Sequence, residues 1–279
     1  EFHKGVAIAA KMVEPPEENL SVEEDGMVDL YGLIDQQGKE ITGGVYGIIQ
    51  YLKDGYYIAR TAGEQWGILK SDGSFQKIDC SYLTTAEPYL VAVDDVAKTR
   101  SYYDYEGEKL TPDFYNGGAY PSLEGSDLNL IPVMNRAGKW GFYDIKNQKM
   151  AIDYEYDDVS WGGFSEGLAG AAYESDQFGD RGSLWWKKMG YINPEGEQVI
   201  AFQYENVGRF SEGVAAVEKH QNEQGIYTSC GAIDQEGTEI LPLNYSSVGS
   251  CEDGLIPVTW QESYYGFYNN KGEKLTPYK

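Results

Sequence analysis

The sequence predicts an all-β repeat protein. Three observations carry this: one short motif recurs seven times, each copy is followed by a short β-branched apolar run, and helical patterning is almost absent. The motif reads aromatic, Gly, two apolar residues, Asp or Asn, and a Gly three residues later. Its copies are Tyr31-Gly32-Leu33-Ile34-Asp35 with Gly38, Trp66-Gly67-Ile68-Leu69 with Gly73, and Trp140-Gly141-Phe142-Tyr143-Asp144 with Asn147. Then come Gly190-Tyr191-Ile192-Asn193 with Gly196, Gly231-Ala232-Ile233-Asp234 with Gly237, and Gly266-Phe267-Tyr268-Asn269 with Gly272. Ser101-Tyr102-Tyr103-Asp104 with Gly107 is a degenerate copy. The anchors stand on average 39 residues apart.

Each copy predicts a β-hairpin. Asp or Asn opens the turn and bonds its own backbone two residues on. Pro194 presets φ at the second position. Gly, or Asn147 in one copy, takes the left-handed residue that closes the turn. Lys70 is the exception at the first position.

A third strand follows each hairpin except the last. Phe164-Ser165-Glu166-Gly167-Leu168-Ala169 and Phe210-Ser211-Glu212-Gly213-Val214-Ala215 are its clearest copies, with Asp253-Gly254-Leu255 matching. Weaker copies run through Tyr56-Tyr57-Ile58, Leu90-Val91-Ala92-Val93 and Leu130-Ile131-Pro132-Val133. Pro132 and Pro257 each remove a ladder donor and predict an edge or a strand end. A Tyr-x-x-Val segment links hairpin to third strand at Tyr156, Tyr204 and Tyr245. The unit is thus three short strands. Glu166, Glu212 and Asp253 recur before the third-strand Gly, which points to a turn-capping role. Val13 to Asp25, Tyr173 to Lys188 and Glu218 to Tyr227 read as a loop and two insertions.

At these residues the chain resembles the bacterial WG-repeat, or KWG-repeat, family. Lys139-Trp140-Gly141-Phe142-Tyr143-Asp144 matches its name-giving motif, and the two Phe-Ser-Glu-Gly segments match its second signature. The resemblance implies a repetitive β structure, often on exported bacterial proteins, with a binding role. It brings no catalytic motif.

The ends suggest how the repeats are arranged. Residues 1–10 read as a third strand with no hairpin before it, and the last hairpin, in 265–279, has no third strand after it. The expectation is a single repeat domain over 1–279, a propeller-like closed ring of seven units in which the N-terminal strand completes the last repeat. The alternative is an open β-solenoid of hairpin repeats. The chain starts at Glu1 rather than Met, which suggests a processed or trimmed form.

Composition narrows the function. With 22 Lys+Arg against 45 Asp+Glu the formal net charge is −23, which disfavours nucleic acid and anionic membrane as partners. No run of 18 apolar residues predicts a helical membrane span. No nucleophile, zinc or phosphate-loop motif is present, so the chain is expected not to be an enzyme and to need no cofactor. A carboxylate-pair glycoside hydrolase and a structural spacer stand as alternatives.

The favoured reading is a non-enzymatic binding module, extracellular or at the cell surface, monomeric, presenting loops to an unidentified protein or glycan. Tyr173, Trp185 and Trp186 lie in an insertion, where periodic packing explains them least, and are the candidate ligand contacts. Glu174, Asp176 and Asp180 are candidate calcium ligands, although their spacing is not that of a full calcium loop. Cys230 occupies the slot of Trp66 and Trp140, and Cys251 that of Phe210, so the two are a candidate disulfide pair. Cys80 is expected to be a lone buried thiol.

Overall fold

The computed structural model describes residues 1–13, 28–115, 129–160, 162–174, 187–220, 228–261 and 264–276. Strands are the only regular elements among them, so the fold is all-β. The chain forms two compact units, Glu1–Asn116 and Gly117–Lys279.

The second unit shows the repeat most clearly. One sheet runs in chain order through Asp158–Val159, Ala169–Glu174, Lys187–Ile192 and Gln198–Tyr204. The next repeats it with Asn206–Val207, Ala215–His220, Thr228–Ile233 and Glu239–Tyr245. A last sheet has Ser247–Val248, Leu255–Trp260 and Tyr264–Asn269. Every pairing in these sheets is antiparallel.

These sheets are offset from the sequence repeat. The third strand pairs with the hairpin that follows it: Ala169 faces Ile192, and Ala215 faces Ile233. Each full sheet also gains a fourth, two-residue strand from the second half of Tyr-x-x-Val. Tyr156 ends one sheet and Val159 begins the next. Such a strand is too short to carry an alternating pattern, so three strands per unit was the count the sequence supported. The N-terminal strand Val6–Val13 obeys the same rule and pairs along its whole length with Val28–Asp35.

The first unit holds a sheet of Phe2–His3, Val6–Val13, Val28–Asp35, Tyr46–Tyr51, Tyr56–Thr61, Trp66–Lys70 and Phe75–Lys77 in chain order. Tyr82–Ala86, Tyr89–Asp94, Thr99–Tyr103 and Phe114–Tyr115 follow in the same unit.

The turn chemistry is as the sequence predicts. Asp35 Oδ1 accepts from the N–H groups of Gln37 and Lys39, both at 2.9 Å. Asn193, Asp234 and Asn269 repeat the pattern. Asn147 is the departure. The residue at positive φ is Gln148 (51°), because Asp144 pairs with Lys149 across a longer loop and Asn147 donates back to Asp144.

The motif Gly has a different cause. Opposite it the partner strand bulges, shifting register between Trp140 and Phe142. A Cβ on Gly141 would lie 2.6 Å from the Ile152 carbonyl oxygen, and one on Gly190 would lie 2.4 Å from that of Ile200. Close backbone approach, not a positive φ, excludes a side chain there.

The residue after the motif Gly is buried at Leu33, Ile68, Phe142, Tyr191 and Ala232, and exposed at Phe267. The aromatic before Gly is only partly buried at Trp66 and Trp140, packed against the edge of its cluster. Pro257 sits mid-strand rather than at an end. Its carbonyl accepts from Gly249, on the side where the two-residue strand stops, so the missing donor falls where the ladder runs out.

Candidate functional site

The segments that recur most strictly turn out to join one repeat to the next. Phe-Ser-Glu-Gly is a tight turn with two residues at positive φ: Glu166 at 52° and Gly167 at 81°, Glu212 at 53° and Gly213 at 80°, Asp253 at 51° and Gly254 at 74°. Ser165 and Leu168 exchange both backbone hydrogen bonds across it, as do Ser211 and Val214. This is the hairpin turn that demands left-handed residues at both central positions.

Its side chains reach the next repeat. Ser165 Oγ donates to the Phe210 carbonyl at 2.7 Å, and Ser211 Oγ to the Cys251 carbonyl at 2.7 Å. Glu166 Oε2 accepts from Gly213 N–H at 2.9 Å, and Glu212 Oε2 from Gly254 N–H at 2.7 Å. The recurring carboxylate therefore caps its neighbour's turn. Phe164 packs edge-on to Phe142 at 4.8 Å, and Phe210 on Tyr191 at 4.7 Å. Tyr156 Oη donates to the Gly196 carbonyl at 2.9 Å, again in the following repeat.

The Lys of the Lys-Trp-Gly motif also has a structural partner. Lys139 Nζ lies 2.7 Å from Asp157 Oδ1, and Lys188 pairs with Glu205 in the equivalent slot. Both acids directly follow the Tyr of Tyr-x-x-Val.

The cysteines are separate thiols. Cys230 and Cys251 share one core cluster, as their slots imply. The aromatic that meets the Phe slot, however, is the residue after Gly (Phe142, Tyr191), whose equivalent is Ala232 rather than Cys230. Cys230 Sγ donates to the Ser246 carbonyl at 3.4 Å, and Cys251 Sγ to Glu212 Oε2 at 3.4 Å. Burial pushes all three thiols up, Cys251 to about 11 and Cys80 to about 12, with Glu212 adding to the shift at Cys251 and Asp79 at Cys80. Cys80 is only partly buried.

Of the candidate ligand contacts, Tyr173 stands on a strand at 39% exposure. Two rings hold it, Tyr156 at 5.0 Å and Phe202 at 5.1 Å. Trp185 and Trp186 lie outside the described residues, as do Asp176 and Asp180. Glu174 closes the strand and faces Lys187 in the ladder. Among the described residues no cluster of three or more His, Cys, Asp or Glu could hold a metal ion.

A groove of about 580 Å³ opens beside the 144–149 turn, lined by Asp144, Lys146, Asn147, Lys149, Pro194 and Glu195 among others. Burial raises the Asp144 carboxyl, but the backbone and side-chain N–H groups of Asn147 outweigh it and the net shift is downward. Asp72 is also lowered, chiefly by the Ser74 hydroxyl. A general acid for glycoside cleavage needs a raised carboxyl, and these two move the other way.

The family described as WG containing repeat matches residues 31–64, 140–173, 189–222 and 231–259. This is a WG-repeat protein. The second and third of those segments contain the Ser, Glu and Tyr side chains that make the contacts above, and Lys139 and Lys188 directly precede them. No curated protein matches the chain.

The WG-repeat chain is similar to several solved structures. Kluyveromyces lactis Hsv2p is 12% identical, over 87% of this chain and 88% of that one, at a TM-score of 0.43. BamB from Moraxella catarrhalis is 9% identical over 96% and 90%, at 0.41. A eukaryotic initiation factor is 11% identical over 93% and 73%, at 0.49. At those identities the likeness bears on neither ligand nor activity.

Proposed function

We propose that this WG-repeat protein is a non-enzymatic binding module, working outside the cell or at its surface, that presents an aromatic platform to a protein or glycan. The observation that carries the reading is a division of labour. The recurring polar and aromatic side chains are spent within and between repeats, as in Ser165 to Phe210 and Glu166 to Gly213. Tyr173 follows no repeat slot. It stands half-exposed on the Tyr156 and Phe202 rings, at the edge of the insertion that carries Trp185 and Trp186.

A ring held on two sides loses little rotamer freedom when it stacks on a sugar face or a partner side chain. The groove by Lys146 and Lys149 is open, and its Asp144 and Asn147 bond each other, so it supports the reading less well.

The test is a glycan array with a parallel pull-down from cell-surface extract, comparing the natural chain with Tyr173→Ala and with Trp185→Ala/Trp186→Ala. The reading expects a ligand that the natural chain retains and both variants lose at least tenfold. Binding left intact in both variants, or silence in both assays, overturns it.

A further inference from the structure

Tyr173 belongs to no sequence motif, yet the ladders give its position a counterpart in both later sheets of the second unit. The third strand sets Ala171 opposite the motif Gly190, Val217 opposite Gly231 and Val258 opposite Gly266. Two residues further along the same strands stand Tyr173, Lys219 and Trp260, facing Lys188, Ser229 and Tyr264. Side chains two apart share one face of a strand. That face packs on the preceding sheet: Ala171 clusters with Phe142 and Tyr156, Val217 with Tyr191 and Tyr204, and Val258 with Leu241 and Tyr245. Tyr173, Lys219 and Trp260 therefore end three successive seams between sheets, where each seam reaches solvent.

The last of these positions is aromatic again. Trp260 is 37% exposed, and Tyr264, whose ring packs against it at 6.1 Å, is 45% exposed. The middle position is polar. Lys219 Nζ donates to Gln203 Oε1 at 3.5 Å, and Ser229 stands opposite Lys219 in the ladder.

We infer that Trp260 and Tyr264 form a second aromatic subsite in line with Tyr173, and that the two subsites together bind an extended neutral glycan chain. The inference rests on the Tyr173 reading and names the ligand class for it. Sheets pack about 10 Å apart face to face, so the two subsites stand about 20 Å or more apart and call for an elongated ligand. A glycan alternates flat C–H faces, which stack on rings, with hydroxyls, which suit Lys219, Ser229 and Gln203 between the rings. A protein partner draws its affinity from an anchor buried in a desolvated pocket, and none of these three residues supplies one. The formal charge of −23 penalises a polyanionic chain and leaves a neutral one unaffected. A chain held at one subsite meets the other as an intramolecular contact, so affinity grows with length.

Calorimetric titration of the full chain with neutral gluco-, manno- and chito-oligosaccharides, each from the single sugar to long oligomers, tests this. The expected result is one series whose affinity rises at least tenfold once the oligomer spans both rings. Trp260→Ala should cancel that rise and leave short-oligomer affinity unchanged, Trp260→Phe should restore the rise, and Tyr173→Ala should weaken short and long oligomers alike. Circular dichroism checks that each variant is folded, and Tyr264→Ala replaces Trp260→Ala if it is not. Affinity independent of length, or long-oligomer binding unchanged in Trp260→Ala, overturns the inference and leaves the Tyr173 reading standing. So does a surface protein captured through Tyr173 while every glycan series is silent. Glycan binding that survives Tyr173→Ala overturns the Tyr173 reading, and the inference with it.

Discussion

The two units of this WG-repeat protein use the same turn slots with different chemistry. In the second unit the joint combines a Ser-to-carbonyl bond, a carboxylate accepting from a Gly N–H, and a buried Phe on an aromatic ring. In the first unit the slots at Lys4 and Asp54 face each other as an ion pair at 3.0 Å, with both side chains mostly exposed. Gln76 Nε2 donates to the Gly107 carbonyl at 2.8 Å, and His3 stacks on Tyr51 at 3.9 Å. An exposed ion pair is worth about 0–1 kcal/mol, and a charge-assisted bond to a backbone donor about 1.5–3 kcal/mol. The element common to both units is a hairpin strand buried on both faces, with Ile68 and Leu69 in one and Phe142 and Tyr143 in the other. Repeat packing is therefore carried by the apolar stack. The polar stitches fix register where the motif is strict and are replaceable where it is not.

That contrast can be broken from the strong side first. Phe210→Ala removes a fully buried ring from the joint with Tyr191 and should destabilise the second unit by about 3–5 kcal/mol in chemical denaturation. An effect below about 1 kcal/mol would place the stability elsewhere.

Alkaline pH comes next. Burial raises the Tyr156 and Tyr191 hydroxyls well above 10.0, with neighbouring Tyr173 and Tyr204 respectively adding to the shift. Their contribution is intact below the unfolded value of 10.0 and is lost as pH rises toward the folded value, because only the unfolded chain then releases the proton. Each costs about 1.4 kcal/mol per pH unit above 10, so the second unit should lose about 2–3 kcal/mol between pH 10 and 11. A melting temperature flat over that interval would contradict the burial of both hydroxyls.

Ser211→Ala leaves the Cys251 carbonyl without its donor and should cost about 1–2 kcal/mol. The smallest effect is expected in the first unit. Lys4→Ala should shift stability by less than about 1 kcal/mol, and that shift should shrink further in high salt. If Lys4→Ala cost as much as Ser211→Ala, the two joints would be equivalent after all.

Some of this was readable along the chain. Asp35 and Gly38 announce a hairpin turn because a side chain that bonds its own backbone and a residue tolerant of positive φ act within five residues. The recurrence of Glu166 and Glu212 correctly suggests a turn cap. It could not show that the cap serves the neighbouring repeat, since Gly213 is 47 residues from Glu166. Cys230 and Cys251 were placed in one cluster by slot equivalence, but equivalence names neighbours and not contacts, and the Phe slot meets the residue after Gly. Residue type favours Asn147 in a left-handed turn, but Asp144 faces Lys149 across a longer loop and Gln148 takes the positive φ instead. Tyr173 stood out only because it breaks the period, and its support by Phe202 comes from another strand.

The sequence by itself determined the class of structure: all-β, seven repeats, hairpins with named turn residues, and a buried apolar third strand, as at Ala169 and Ala215. Those properties follow from interactions within a few residues and from a repeat period that needs no partner to be visible. Tertiary structure decided where one sheet ends and the next begins, why the motif Gly has no side chain, and which residues lock one repeat to another. Each depends on a strand or turn 10 to 50 residues away approaching within hydrogen-bonding or van der Waals distance, and local propensity carries no information about that approach.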